Sequence, residues 1–87
     1  MRKDWHDRSW DDYLYWQTQD RKTLKKINSL IKEIERSADG RVGHAELLKG
    51  DLSGWASTEI DQKNRLIYRR KDDVIQILSC RGHYSDK

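Results

Sequence analysis

Apolar residues recur at three- and four-residue spacing through the N-terminal half of the chain, then at shorter, partly alternating spacing, so helices precede strands. Ser9, with Asp12 three residues on, predicts a capped helix whose apolar face carries Trp10, Tyr13 and Leu14, with Trp16 beside them. Beyond Gln19-Asp20, a second helix places Leu24, Ile27, Leu30, Ile31 and Ile34 on one stripe, with Lys22, Lys25, Lys26 and Lys32 largely opposite. Both stripes are most simply core, packing two helices onto something flat. Ser37 to Gly43 breaks the pattern, with Gly40 and Gly43 free to take positive φ. Four short strand-like segments follow: Glu46-Leu47-Leu48, Trp55 to Ile60, Arg65 to Arg69, and Val74 to Cys80. Polar loops at Gly50-Asp51, Asp61 to Asn64 and Lys71 to Asp73 separate them, which predicts an antiparallel meander. The expected architecture is α+β: two N-terminal helices on one face of a small, mainly antiparallel sheet, the other face open as a natural site.

Composition narrows this picture. At 87 residues the chain is expected to form a single domain, 1–87, with one small core. Leu, Ile and Val together number only 17, but net charge is just +3, and four Trp and four Tyr add apolar bulk, so a folded domain is expected. Ten basic and eight acidic residues fall in 1–44, and eight and seven in 45–87, so any RNA-binding surface must be assembled by folding. Cys80 has no partner for an internal disulfide and is expected to be a buried structural thiol. The N-terminus lacks an apolar leader, and no apolar run approaches bilayer length. The expectation is a cytoplasmic protein with no membrane association.

The chemistry concentrates near the C-terminus, where Cys80-Arg81-Gly82-His83-Tyr84 ends the last apolar strand. Metal-free cleavage of RNA needs a base for the 2′-hydroxyl, cations for the developing charge, and an acid for the leaving 5′-oxygen. Glu46 suits the base, Arg65 the phosphate clamp with Lys49 assisting, and His83 the acid, while Tyr84 suits orienting the phosphate or stacking on a base. Arg81 and His44 are further candidates for contacting RNA; His44 lies two residues before Glu46, which on a strand shares its face. Taken singly, each has an ordinary structural explanation: a solvated glutamate, an arginine covering a sheet edge, a histidine and tyrosine on the surface. His6, His44 and His83 are scattered, so neither a metal nor another cofactor is expected.

Order and spacing give these residues joint weight. The chain resembles the YoeB/Txe toxins of the RelE-like superfamily over nearly its full length. The resemblance rests on Ser9 to Gln17, Lys25-Lys26-Ile27-Asn28, Glu46 to Lys49, Asp51 to Gly54, Asn64 to Tyr68, and the closing Cys80 to Tyr84. It implies the toxin of a type II toxin–antitoxin pair that enters the ribosomal A site and cuts mRNA, with Glu46, Arg65, His83 and Tyr84 in the catalytic roles. It further implies a RelE-like α+β fold, a YefM/Axe-like antitoxin as partner, and the homodimerisation common among relatives. The chain departs from the family where Ser-Gly-x-Trp-Ser-Arg-Arg-Ile becomes Ser53-Gly54-Trp55-Ala56-Ser57-Thr58-Glu59-Ile60, so Thr58 and Glu59 replace two arginines. The alternative is therefore an attenuated, non-enzymatic relative acting in antitoxin binding and operator autoregulation. Gyrase-directed toxins on the same fold are a third class, lacking the Glu, Arg and His-Tyr set.

Overall fold

The computed structural model describes residues 1–82. Strand β1 (Arg2–Trp5) leads into helices α1 (Asp7–Gln19) and α2 (Arg21–Arg36); strands β2 (Glu46–Leu47), β3 (Ala56–Glu59), β4 (Arg65–Lys71) and β5 (Val74–Ser79) follow. The sheet order is β1-β5-β4-β3-β2. Strands β2 to β5 pair antiparallel, the predicted meander, but β1 lies parallel to β5 and makes the sheet mixed. Side-chain periodicity does not announce β1, because Arg2, Lys3 and Asp4 are all exposed and only Trp5, at its end, packs a side chain against the core.

Helix α2 forms as its pattern predicts. Asp20 caps it, accepting from the Lys22 and Thr23 amides and from the Thr23 hydroxyl, and those bonds hold its carboxyl below the usual range. Ile27, Leu30, Ile31 and Ile34 are buried against Leu66, Tyr68, Ile75 and Ile77 of the sheet. Each such side chain contributes roughly 1.5–3 kcal/mol of transfer free energy.

Helix α1 departs from its prediction. His6, not Ser9, sits at the N-cap, and the buried face is Ser9, Asp12 and Trp16. Trp10 and Leu14, expected inside, are 45% and 43% exposed. The physical reason is a set of partners on β5 and the residue after it. Ser9 Oγ donates to the Ile77 carbonyl at 2.6 Å, Asp12 Oδ2 accepts the Cys80 amide at 3.0 Å, and Trp16 Nε1 donates to the Cys80 carbonyl at 2.9 Å. Each bond satisfies a buried polar group, and together they turn the helix so that polar residues face the sheet. Trp10 stacks instead on Tyr13, with Trp5 edge-on.

The connection from α2 to β2 is pinned by β4. Arg70 donates to the carbonyls of Ile34, Ser37 and Ala38, closing the helix C-terminus, and the Tyr68 hydroxyl donates to the Gly40 carbonyl at 3.0 Å. Gly40 and Gly43 adopt φ of +82° and +47°, as the sequence predicts. On the face away from the helices, Trp55 and Ile67 are also buried, so that face is less open than expected. Among the described residues no helix is long and apolar enough to cross a membrane.

Candidate functional site

Cross-strand register builds the site. Glu46 on β2 stands opposite Ser57 on β3, and Glu59 on β3 stands opposite Arg65 on β4. Directly opposed residues share a sheet face, so these four side chains project together. The Arg65 Nε donates to Ser57 Oγ at 2.5 Å, a second guanidinium nitrogen reaches the Ser57 carbonyl at 3.4 Å, and the same nitrogen lies 3.6 Å from Glu46 Oε1. The Arg65 side chain is 19% exposed and that of Glu46 is 73% exposed. The cation is thus held on its strand, while the carboxylate projects into solvent within reach of a ligand. Such a pair offers an accessible proton acceptor beside a fixed fork for an anionic oxygen.

A cleft of about 440 Å³ runs beside the pair, lined by Lys26 and Glu33 of α2, His44 of the preceding loop, and Thr58 and Glu59 of β3, with Glu46 and Arg65. His44 and Glu46 line it together, although β2 begins only at Glu46 and His44 lies in the turn before it. Thr58 is buried, whereas Glu59 is exposed and shares the cleft with Arg65. Lys49 is exposed beyond β2, before the 3₁₀ turn Gly50–Leu52, and does not line the cleft. Arg81 lies elsewhere: its guanidinium stacks 3.6 Å from the Tyr15 ring, on α1.

His83 and Tyr84 lie outside the described residues. Gly82, to which His83 is joined, is fixed at the site: its amide donates to Asn64 Oδ1 at 2.8 Å and its carbonyl accepts the Arg65 amide at 3.1 Å. Asn64 is itself set by a tight turn in which Asp61 Oδ1 accepts the Lys63 and Asn64 amides. Ser57 and Asn64 are thus positioning residues that the residue pattern did not single out. Asn64 opens one of the stretches that carry the family resemblance, and for Ser57 the advance signal was the β3–β4 hairpin, whose register sets it diagonally across from Arg65. Cys80 is fully buried, and burial, reinforced by the Asp12 carboxylate, pushes its thiol up to about 12, which fits the expected structural role. Among the described residues no group of three His, Cys, Asp or Glu side chains is placed to hold a metal ion.

Comparison with known proteins places this geometry in a family. The model of the YoeB-like toxin of bacterial type II toxin–antitoxin systems matches residues 5–84. Toxin YoeB of Escherichia coli is 46% identical over 84 residues, covering 97% of this chain and 100% of the relative. A YoeB/ParE toxin from Agrobacterium tumefaciens superposes with a TM-score of 0.89 at 37% identity, covering 97% of this chain and all of that one. Staphylococcus aureus YoeB is similarly close, as a dimer (TM-score 0.86, 39% identity) and in a YoeB–YefM complex (0.87, 36%), each covering 97% of this chain and 98% of that one. The RelE-like α+β fold expected from the sequence is the one observed, and the chain belongs to the YoeB-like toxins of bacterial type II toxin–antitoxin systems.

Proposed function

We propose that this toxin is a ribosome-dependent endoribonuclease that cuts mRNA in the A site without a metal. The observation that carries the reading is the Glu46–Arg65 pair, an exposed carboxylate 3.6 Å from a guanidinium tethered to Ser57. Glu46 takes the proton of a 2′-hydroxyl, whose oxygen attacks the adjacent phosphorus. Arg65 stabilises the negative charge that develops on the phosphoryl oxygens. The bond from phosphorus to the 5′-oxygen breaks, and His83 gives that oxygen a proton. The products are a 2′,3′-cyclic phosphate and a 5′-hydroxyl end. Tyr84 orients the phosphate, and His44, Lys49 and Arg81 contact RNA. The anchoring of Gly82 on Asn64 and Arg65 supports the roles given to the two residues that follow it.

The partners in this reading are the ribosome with its mRNA, a YefM-like antitoxin, and a second copy of the chain; YoeB of Staphylococcus aureus has been solved with YefM and as a dimer. The 87 residues act as one domain in the cytoplasm. Primer extension on programmed ribosomes tests the activity. Cuts confined to the A-site codon, ending in cyclic phosphate and 5′-hydroxyl, are expected; 5′-phosphate ends would refute attack by the 2′-oxygen.

One observation favours a second reading, an attenuated toxin-like protein that binds antitoxin and represses its operator. Glu59 stands opposite Arg65 and lines the same cleft, where it opposes the approach of a phosphate. A folded wild type that binds ribosomes and leaves mRNA intact would establish that reading.

A further inference from the structure

The cleft that holds Glu46 and Arg65 is poorly charged for recruiting RNA. Among its lining residues, Lys26 and Arg65 face three carboxylates, Glu33, Glu46 and Glu59, so with His44 neutral it carries a negative excess. A second groove, of about 490 Å³, has the opposite balance. Arg41, Arg69, Arg70 and Lys71 line it against Asp39 alone. That excess of three positive charges equals the formal net charge of the entire chain.

Two of these cations are held in place by uncharged partners. Arg70 donates to three backbone carbonyls, at Ile34, Ser37 and Ala38. Arg69 donates to Gln76 Oε1 at 2.5 Å, and its guanidinium lies 4.3 Å from the Trp55 ring centre. Among the described residues neither enters an ion pair, so each guanidinium is ordered by folding without losing its charge to a carboxylate. Asp39 is committed elsewhere: it accepts the Arg41 amide and the Ser37 hydroxyl, bonds that hold its carboxyl below the usual range. Arg41 and Lys71 are exposed at the rim.

Groove and cleft adjoin along the same strands. Leu47 and Ala56 of the groove face the opposite side of the sheet from Glu46 and Ser57, but along β4 Arg65, Ile67, Arg69 and Lys71 alternate onto one face, so two of the groove's cations share a face with the Glu46–Arg65 pair. Along β4, the four steps from Arg65 to Arg69 span about 13 Å.

We infer that the Arg41–Arg69–Arg70–Lys71 groove is a separate binding site for single-stranded RNA, which grips the phosphate backbone and delivers the strand to the acidic cleft. The delivery role rests on the function proposed above; the binding site does not. Preordered cations remove part of the ordering cost of binding, and counterion release from the phosphates supplies the driving force. The choice of RNA over an acidic peptide follows from this continuity with the cleft.

The test is binding of a single-stranded 2′-O-methyl oligonucleotide, which cannot be cleaved, to the whole protein across a salt series. The double variant Arg41→Ala/Lys71→Ala leaves the internally bonded Arg69 and Arg70 in place. It is expected to bind roughly tenfold more weakly, with the slope of log affinity against log salt reduced by about 1.4 for two lost contacts. Lys26→Ala in the cleft is expected to bind within about twofold of wild type. Unchanged affinity and slope in the double variant, or a larger loss from Lys26→Ala, would overturn the site. Poly-glutamate binding equally tightly through Arg41 and Lys71 would overturn the choice of RNA. Because no cleavage is involved, an inactive protein that binds through the groove refutes only the nuclease reading, and an active one that ignores the groove refutes only this inference.

Discussion

Replacing Asp12 by alanine removes the acceptor of the Cys80 amide, a buried bond of 3.0 Å between α1 and the residue that follows β5. Asp12 is 6% exposed, and the Arg8 guanidinium, four residues earlier on the helix, lies 3.7 Å from the same carboxylate. Leaving a buried amide without an acceptor costs about 1–3 kcal/mol, and bonds to a charged group lie in the upper part of that range. The Arg8 pair adds little, because its guanidinium side is 58% exposed and screened. The expected loss is therefore about 2–3 kcal/mol, mostly from the amide. For a chain of 87 residues, unfolding entropy near the midpoint is about 0.18 kcal/mol per degree, so Tm should fall by about 11–16 °C. Asp12→Asn keeps an oxygen acceptor and should lose about half as much. Calorimetry of the two variants decides the matter. A fall below about 3 °C for Asp12→Ala, or equal falls for both, would show that the Cys80 amide does not depend on this carboxylate.

Other outcomes follow from single contacts. Ser57→Ala removes the Oγ that receives Arg65 Nε and should cut single-turnover cleavage about tenfold with RNA affinity nearly unchanged, whereas an equal loss in affinity would contradict a positioning role. Gly40→Ala forces a side chain at φ +82° with its Cβ 3.1 Å from Arg70 Cβ; denaturant titration should show a loss of about 1–2 kcal/mol, and a neutral result would mean the loop yields freely. The Cys80 thiol, pushed by burial to about 12, should resist a thiol reagent at pH 8 in the native protein and react once unfolded; rapid native labelling would contradict its burial.

Helix α2 was legible because its apolar residues repeat on one face and its cap, Asp20, sits directly before it. Helix α1 was legible as a helix but not in its rotation. Ser9 and Asp12 read as capping residues, and only the position of β5 reveals that Ile77 and Cys80 supply their partners. Strand β1 left no trace in the pattern, since three of its four residues are exposed and charged and Trp5 alone packs against the core. In the candidate site, Glu46 and Arg65 were recognisable from the sequence, and the fold brings them within 3.6 Å. The bonds that fix them were not, because Ser57 and Asn64 act through register and turn geometry that depend on pairings distant in sequence. The same holds for charge. Acidic and basic residues are divided evenly between the two halves of the chain, and folding alone sorts them into an acidic cleft and a basic groove.

The most direct measurement is single-turnover mRNA cleavage on programmed ribosomes by the wild type, Glu46→Ala and His83→Ala, with thermal unfolding run alongside. The wild type should make A-site cuts that vanish in both variants, while Glu46→Ala keeps a near-native Tm because its side chain is 73% exposed. Cutting retained by both folded variants would contradict the acid–base mechanism assigned to this site.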